Sequence, residues 1–165
     1  MAWGRHLYLL LTVATLGRCA YPTPTFTTRH GLRVHAEEHG ESQLAMEVAT
    51  ENLIRRVGEE PDYDEYMVRR LFNSRKIRVI VKSAPFECFP VGECSGIAAG
   101  TNVYYVWDKC ISSSAFIHEL MHVIHEWFVA EDPNHELPGL WSNPEDVVPS
   151  TRLATCETVC PGTCY

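Results

Sequence analysis

The stretch from Ser112 to Ala130, SSSAFIHELMHVIHEWFVA, decides how this chain folds. At about 100° per residue, its apolar side chains gather on one broad face of a helix. This apolar face contains Phe116, Ile117, Leu120, Met121, Val123, Ile124, Trp127 and Phe128. The opposite, polar face contains His118, Glu119, His122, His125 and Glu126. The pattern predicts a helix that builds a core with one face and presents polar groups on the other.

The polar face carries the spacing of a metal site. His118 and His122 are one helical turn apart, so both imidazoles can reach a single ion. Glu119 follows the first histidine, which places its carboxylate beside the metal, where a bound water would lie. We therefore predict a zinc site with His118 and His122 as ligands and Glu119 as the catalytic base.

The N-terminal segment, residues 1–19, has the features of a secretory signal peptide. It has a basic start, an apolar run from Leu7 to Leu16 and small residues near Gly17. The apolar run is too short to span a bilayer, and no later run is longer. We expect a secreted, extracellular protein without membrane attachment.

The cysteine content agrees with export. Six cysteines follow the predicted signal peptide: Cys88, Cys94, Cys110, Cys156, Cys160 and Cys164. An even number in an exported chain predicts three disulfides, of which a Cys88–Cys94 ring is the simplest. Pro161 and Gly162 indicate a turn-rich C-terminal tail, bridged to Cys88, Cys94 or Cys110.

The formal charge limits the possible partners. Losing Arg5 and Arg18 with the signal peptide takes the net charge from −7 to about −9. An acidic chain is poorly suited to nucleic acid or to an anionic membrane surface. We therefore expect no nucleic-acid or membrane partner. The predicted metal site, and not the charge, indicates a peptide or protein substrate, and we expect the protein to be a monomer.

The remaining patterns predict an α+β domain. Residues 20–41 are rich in Pro, Thr and His and lack a sustained period, which indicates a flexible arm or short pro-segment. Helical spacing follows at residues 42–57 and, with Tyr63, Met67 and Leu71 inward, at residues 62–72. Strand patterns cover residues 77–81 and 103–107, and a turn is expected at residues 98–101.

The sequence His118-Glu119-Leu120-Met121-His122, preceded by the strand Val103–Trp107, resembles the zincin class of zinc metallopeptidases. The resemblance implies a single small zincin-like catalytic domain over residues 42–165. Its short twisted sheet would pack on the active-site helix, and disulfides would hold the domain. It also implies that Val103–Trp107 is the edge strand that pairs with an extended substrate. An endopeptidase is expected rather than an exopeptidase.

The third metal ligand must lie outside the helix. The metzincin subgroup of the class has Gly and His at the positions of His125 and Phe128, so that subgroup does not fit. His125 is too far along the helix axis from His118 to share the ion, and we expect it to line the cleft. We favour His135 as the third ligand, with Glu145, in a segment similar to that of the gluzincins, as the next candidate. The other candidates are Asp132, Asp146 and Glu126.

The predicted site performs peptide hydrolysis. Zinc with three protein ligands would lower the pKa of its water to about 7, and Glu119 would take the proton and pass it to the leaving amine. Tyr104, Tyr105 or His125 would stabilise the oxyanion. Two alternatives stay open: a secreted, disulfide-rich binding protein with a structural or inactive zinc site, and a metallohydrolase that acts on a substrate other than a peptide.

Overall fold

The computed structural model describes residues 24–36, 42–74, 76–90, 92–107, 109–111, 115–130, 135 and 144–164. The predicted signal peptide at residues 1–19 lies outside this described part, and so do residues 37–41. Among the described residues, no helix has the length and apolar character needed to cross a bilayer.

A mixed five-stranded sheet forms one layer of the fold. Its strands, in chain order, are β1 (Phe26–Thr27), β2 (Arg33–Ala36), β3 (Arg78–Lys82), β6 (Gly96–Ala99) and β7 (Asn102–Val106). Their order across the sheet is β1-β2-β3-β7-β6. The β2–β3 and β3–β7 pairs are parallel, whereas the two outer pairs are antiparallel. A separate hairpin consists of β4 (Phe86–Cys88) and β5 (Gly92–Cys94).

Four helices are seen in the described part of the chain: α1 (Gln43–Val57), α2 (Glu65–Ser74), α3 (Ala115–Phe128) and α4 (Pro144–Val159). Ser42 caps α1, because its hydroxyl accepts a hydrogen bond from the backbone N–H of Ala45. Together with the mixed sheet, these helices confirm the predicted α+β class.

Helix α2 begins three residues later than its pattern predicts. The side chain of Asp64 accepts a hydrogen bond from the Met67 backbone N–H at 3.0 Å, so Asp64 caps the helix. Tyr63 is buried as expected, but it precedes the helix. The predicted inward position of Met67 is wrong: Met67 is exposed, and Val68 is buried together with Leu71.

Side chains alternate between the two faces of the sheet, and one of these faces packs against α3. Val103 and Tyr105 of β7 are buried on that face, and the Tyr105 ring lies 5.2 Å from the Phe116 ring of α3. Gly96 and Ala98 of β6 pair with Tyr105 and Val103, so they share the same face. The small residues of β6 therefore lie directly beside α3.

Residues 24–36 are part of the domain, which corrects the predicted flexible arm for this part of residues 20–41. Leu32 and Val34 are fully buried, and β2 pairs in parallel with β3. The partner strand is distant in sequence, because both α1 and α2 lie between β2 and β3 in the chain. The strand propensity of residues 24–36 therefore gives little indication that the segment pairs with a strand so far along the chain.

The prediction that Val103–Trp107 forms the edge of the sheet is wrong. The observed strand, β7, lies between β3 and β6, so both of its backbone edges are hydrogen-bonded. Gly96–Ala99 is the edge strand instead, and it includes Ala98 and Ala99, for which we expected a turn. A strand's pattern reports which side chains are buried, not the strand's place in the sheet.

Three disulfides confirm the predicted pairing of six cysteines. Cys88–Cys94 closes the β4–β5 hairpin, as expected. Cys110–Cys160 ties the 3₁₀ turn before α3 to the end of α4. Cys156–Cys164 closes the C-terminal turn. The predicted tail is thus partly helical, because α4 continues through Val159, and one bridge joins it to Cys110 as expected.

We predict that Cys110–Cys160 contributes more to stability than Cys88–Cys94. The two bridges close loops of 50 and 6 residues, for which the chain-entropy relation gives about 4 and about 2 kcal/mol. Denaturant unfolding of the variants C110A/C160A and C88A/C94A, with the other bridges intact, measures both losses. Equal losses would contradict the prediction.

Candidate metal centre

Helix α3 holds two partly buried histidines on a backbone that packing fixes in place. The side chains that anchor the helix are all buried: Phe116, Ile117, Leu120, Met121, Val123 and Ile124. Each contributes about 1.5–3 kcal/mol when it is fully removed from water. His118 and His122 are only partly buried, so they remain at the surface of a rigid element.

The structure brings His135 to these two histidines. One ring nitrogen of each of His118, His122 and His135 can be chosen so that all three lie within 4.8 Å of one another. The Nε2 atoms of His122 and His135 are 3.1 Å apart, and the three ring centroids are 4.9–5.0 Å from each other. The three histidines are therefore close enough to hold one metal ion.

The chemistry of the donors suits a transition metal. Burial lowers the pKa of His118, and the nearby His135 lowers it further, so His118 is neutral near pH 7. A neutral imidazole is the form that binds metals. Three imidazole nitrogens are appropriate for zinc, but also for copper, iron or nickel.

Glu119 lies between α3 and the edge strand. It is only 7% exposed, and its carboxylate accepts a hydrogen bond from the backbone N–H of Ala98. A Cβ on Gly96 would come within 2.7 Å of Glu119 Oε1. The carboxylate therefore packs directly against the backbone of β6, at a position without a side chain. Burial raises the pKa of Glu119 to about 7, and the Ala98 N–H opposes that increase.

His125 does not line a cleft, which corrects our expectation. It is 1% exposed, and its Nδ1 lies 3.2 Å from the hydroxyl of Tyr63, which is also buried. Because a helix turns by about 100° per residue, His125 is offset from His122 by only about 60°, and this offset brings it to the border of the apolar face, next to Met121 and Phe128. A helical wheel groups His125 with the polar side chains. The contact with the buried Tyr63 hydroxyl makes a core position acceptable for this polar ring.

The residues expected to stabilise an oxyanion are placed elsewhere. Tyr105 and His125 are in the core. Tyr104 pairs with Ile97 on the opposite face of the sheet from α3, and its ring lies 6.3 Å from that of Phe86. Tyr105 and His125 are therefore buried away from a substrate, and Tyr104 lies on the far face of the sheet.

The candidates for the third ligand can now be compared. His135 belongs to the cluster, whereas the exposed Glu126 is not among the clustered groups of the described residues. Asp132 lies outside the described residues, as do the side chains of Glu145 and Asp146.

Sequence reasoning missed Gly96 and Ala98, which contact Glu119. They belong to Ser95-Gly96-Ile97-Ala98-Ala99-Gly100, whose small residues are typical of a turn. The available signal was alternation: Gly96 and Ala98 flank Ile97, so in a strand both small residues lie on the face opposite Ile97. Small side chains allow a helix to approach the backbone of a strand closely.

Comparison of the chain with protein-family models, with characterised proteins and with solved structures found no match. The functional conclusion therefore depends on the geometry of the histidine cluster, Glu119 and β6.

We predict that the protein binds one zinc ion per chain and that His135→Ala weakens this binding at least about 100-fold. Loss of a group that only supports a ligand already costs 10–100-fold, and loss of a ligand costs more. Titration calorimetry of the metal-free protein measures the affinity. The control is His35→Gln, a partly buried histidine on β2, which should leave the affinity unchanged. Equal affinities for the wild type and His135→Ala would exclude His135 as a ligand.

We also predict that Gly96→Ala destabilises the protein by about 1–2 kcal/mol, because the new Cβ meets the Glu119 carboxylate at 2.7 Å. In a Glu119→Ala background the same change should cost less than half as much. Thermal unfolding of all four proteins gives this double-mutant cycle, which cancels the intrinsic preference for Ala over Gly. A cost independent of Glu119 would show that the two residues do not contact each other in solution.

Proposed function

We propose that this protein is a secreted zinc metallopeptidase that hydrolyses peptide bonds. The observation that carries the proposal is that His135, from beyond α3, lies close to His118 and His122 on the helix that also bears Glu119. Two histidines and a glutamate at this spacing, joined by a third histidine from beyond the helix, have the composition of a hydrolytic zinc site.

His118, His122 and His135 would hold the metal through one ring nitrogen each. Three protein ligands leave a coordination position open, as in catalytic rather than structural zinc sites. When bound, zinc supplies a Lewis acid that acidifies water and polarises a carbonyl oxygen.

Glu119 is suited to moving a proton. Its carboxylate would take a proton from the attacking water and return it to the nitrogen of the leaving amine. Burial supports this role, since a carboxyl with a pKa of about 7 can both accept and release a proton near neutral pH. Low exposure also limits competition from bulk water.

Strand β6 provides a place for a peptide backbone. Among the described strands it pairs only with β7, so the backbone groups on its other edge, apart from the Ala98 N–H that Glu119 binds, can pair with an extended peptide. The Glu119 carboxylate contacts this same strand at Gly96 and Ala98. A peptide added to the free edge would thus run close to the catalytic base.

Export is part of the proposal. Three disulfides are typical of proteins that mature in an oxidising compartment, and the N-terminal segment at residues 1–19 has the composition of a secretory signal.

Metal analysis of the purified protein, followed by digestion of a peptide library with and without chelator, tests the activity. Stoichiometric zinc without hydrolysis of any peptide would favour a binding protein or a hydrolase of another substrate.

We predict that Glu119→Gln keeps zinc at one equivalent and lowers kcat for peptide hydrolysis by about 10²–10⁴-fold. The amide preserves the shape of the side chain but removes the general base. The matched control is Glu157→Gln on the exposed side of α4, which should retain both zinc and activity. Full activity in Glu119→Gln would exclude Glu119 as the base. If the variant loses its zinc, it is reloaded with metal before its activity is compared with that of the wild type.

A further inference from the structure

A pocket of about 310 Å³ opens beyond the histidine cluster, between the second half of α3, the end of α2 and the turn that follows β6. The described residues that line it are Leu71, Gly100, Thr101, Val123, Glu126 and Trp127. Its volume is at the lower end of the range for ligand sites, and it suits one side chain rather than a large molecule.

The pocket combines an apolar wall with one negative charge. Leu71 and Val123 lie at its floor and are almost fully buried, so the accessible apolar surface comes mainly from the indole of Trp127, which is 43% exposed. Among the lining residues that the structure describes, Glu126 is the single ionisable group, and it is exposed. No ion pair or hydrogen bond to its carboxylate is seen among the described residues.

These features are complementary to a long cationic side chain. The methylene groups of lysine or arginine can lie along apolar surface while the charged end remains partly in water. That charged end would meet the Glu126 carboxylate and the face of the Trp127 ring, which attracts cations. A neutral or acidic side chain would gain neither contact.

The pocket is adjacent to the candidate metal centre. Glu126 follows His122 by one helical turn, about 6 Å along the axis of α3. Strand β6 leads in the same direction, because Glu119 contacts Gly96 and Ala98 whereas Gly100 lines the pocket. Six ångströms correspond to about two residues of an extended chain.

We propose that this pocket selects a lysine or arginine side chain within about three residues of the bond that is cleaved. The inference rests on the proposed peptidase function, whose substrate class it narrows to basic peptides. Glu126 and Trp127 are then specificity-determining residues rather than catalytic ones, and the acidic net charge of −7 favours the approach of such peptides.

The test compares cleavage of matched peptide libraries by the zinc-loaded wild type, Glu126→Gln, Glu126→Lys and the control Glu157→Gln. The wild type and the control should prefer Lys or Arg over norleucine at one position by about tenfold in kcat/KM. Glu126→Gln should abolish most of this preference, and Glu126→Lys should shift it to Asp or Glu, with zinc content unchanged. Cleavage without a basic preference, or a preference that survives Glu126→Gln, would overturn the inference and leave the peptidase proposal intact.

A binding measurement separates the two proposals. N-acetyl-arginine methylamide, titrated into the zinc-loaded Glu119→Gln protein, should shift the NMR signals of the Trp127 indole N–H and the Thr101 amide. N-acetyl-norleucine methylamide should not shift them. These shifts in a protein whose wild type cleaves no peptide would refute the peptidase function but support the pocket as a cation site. Equal shifts with both compounds would refute the proposal that the pocket selects a cationic side chain.

Discussion

Packing of α3 against the sheet is the constraint on which the site depends. The helix buries six large apolar side chains while it keeps His118 and His122 at its surface. Turning the helix by one residue would expose part of that apolar surface, at several kcal/mol. The direction of both imidazoles is therefore set by the hydrophobic core, and the same contacts that fold the domain orient its candidate ligands.

The same packing buries Glu119, which is costly. Raising the pKa of a carboxyl from 4.5 to about 7 corresponds to on the order of 3 kcal/mol against its charged form. Because the pKa is raised on folding, this destabilisation is absent below about pH 4.5 and grows until about pH 7. One backbone N–H, from Ala98, offsets part of the cost. Such a position is unfavourable for stability, and this is typical of residues retained for function.

Sequence reasoning succeeded where a signal is local and failed where partners are distant. The period of α1, the Cys88–Cys94 ring and the one-turn spacing of His118 and His122 are each contained in a few residues. The position of β7 inside the sheet depends instead on strands β3 and β6. Burial of His125 depends in turn on a tyrosine 62 residues earlier. His135 was favoured because it lies in a turn-like sequence that could return the chain across the cleft, and its place in the cluster needed the structure.

The third histidine is held differently from the other two. His118 and His122 are fixed by a helix, whereas His135 is exposed, has a positive φ of 59° and lies between α3 and α4 in the chain. The entropy lost when this segment closes on a metal depends on how firmly its two ends are fixed. Core packing fixes the end at α3. At the other end, α4 packs against α1, Asn52 donates a hydrogen bond to Thr155, and Cys110–Cys160 ties α4 to the turn before α3. A disulfide far from His135 in sequence thus helps to keep that histidine within reach of the helix.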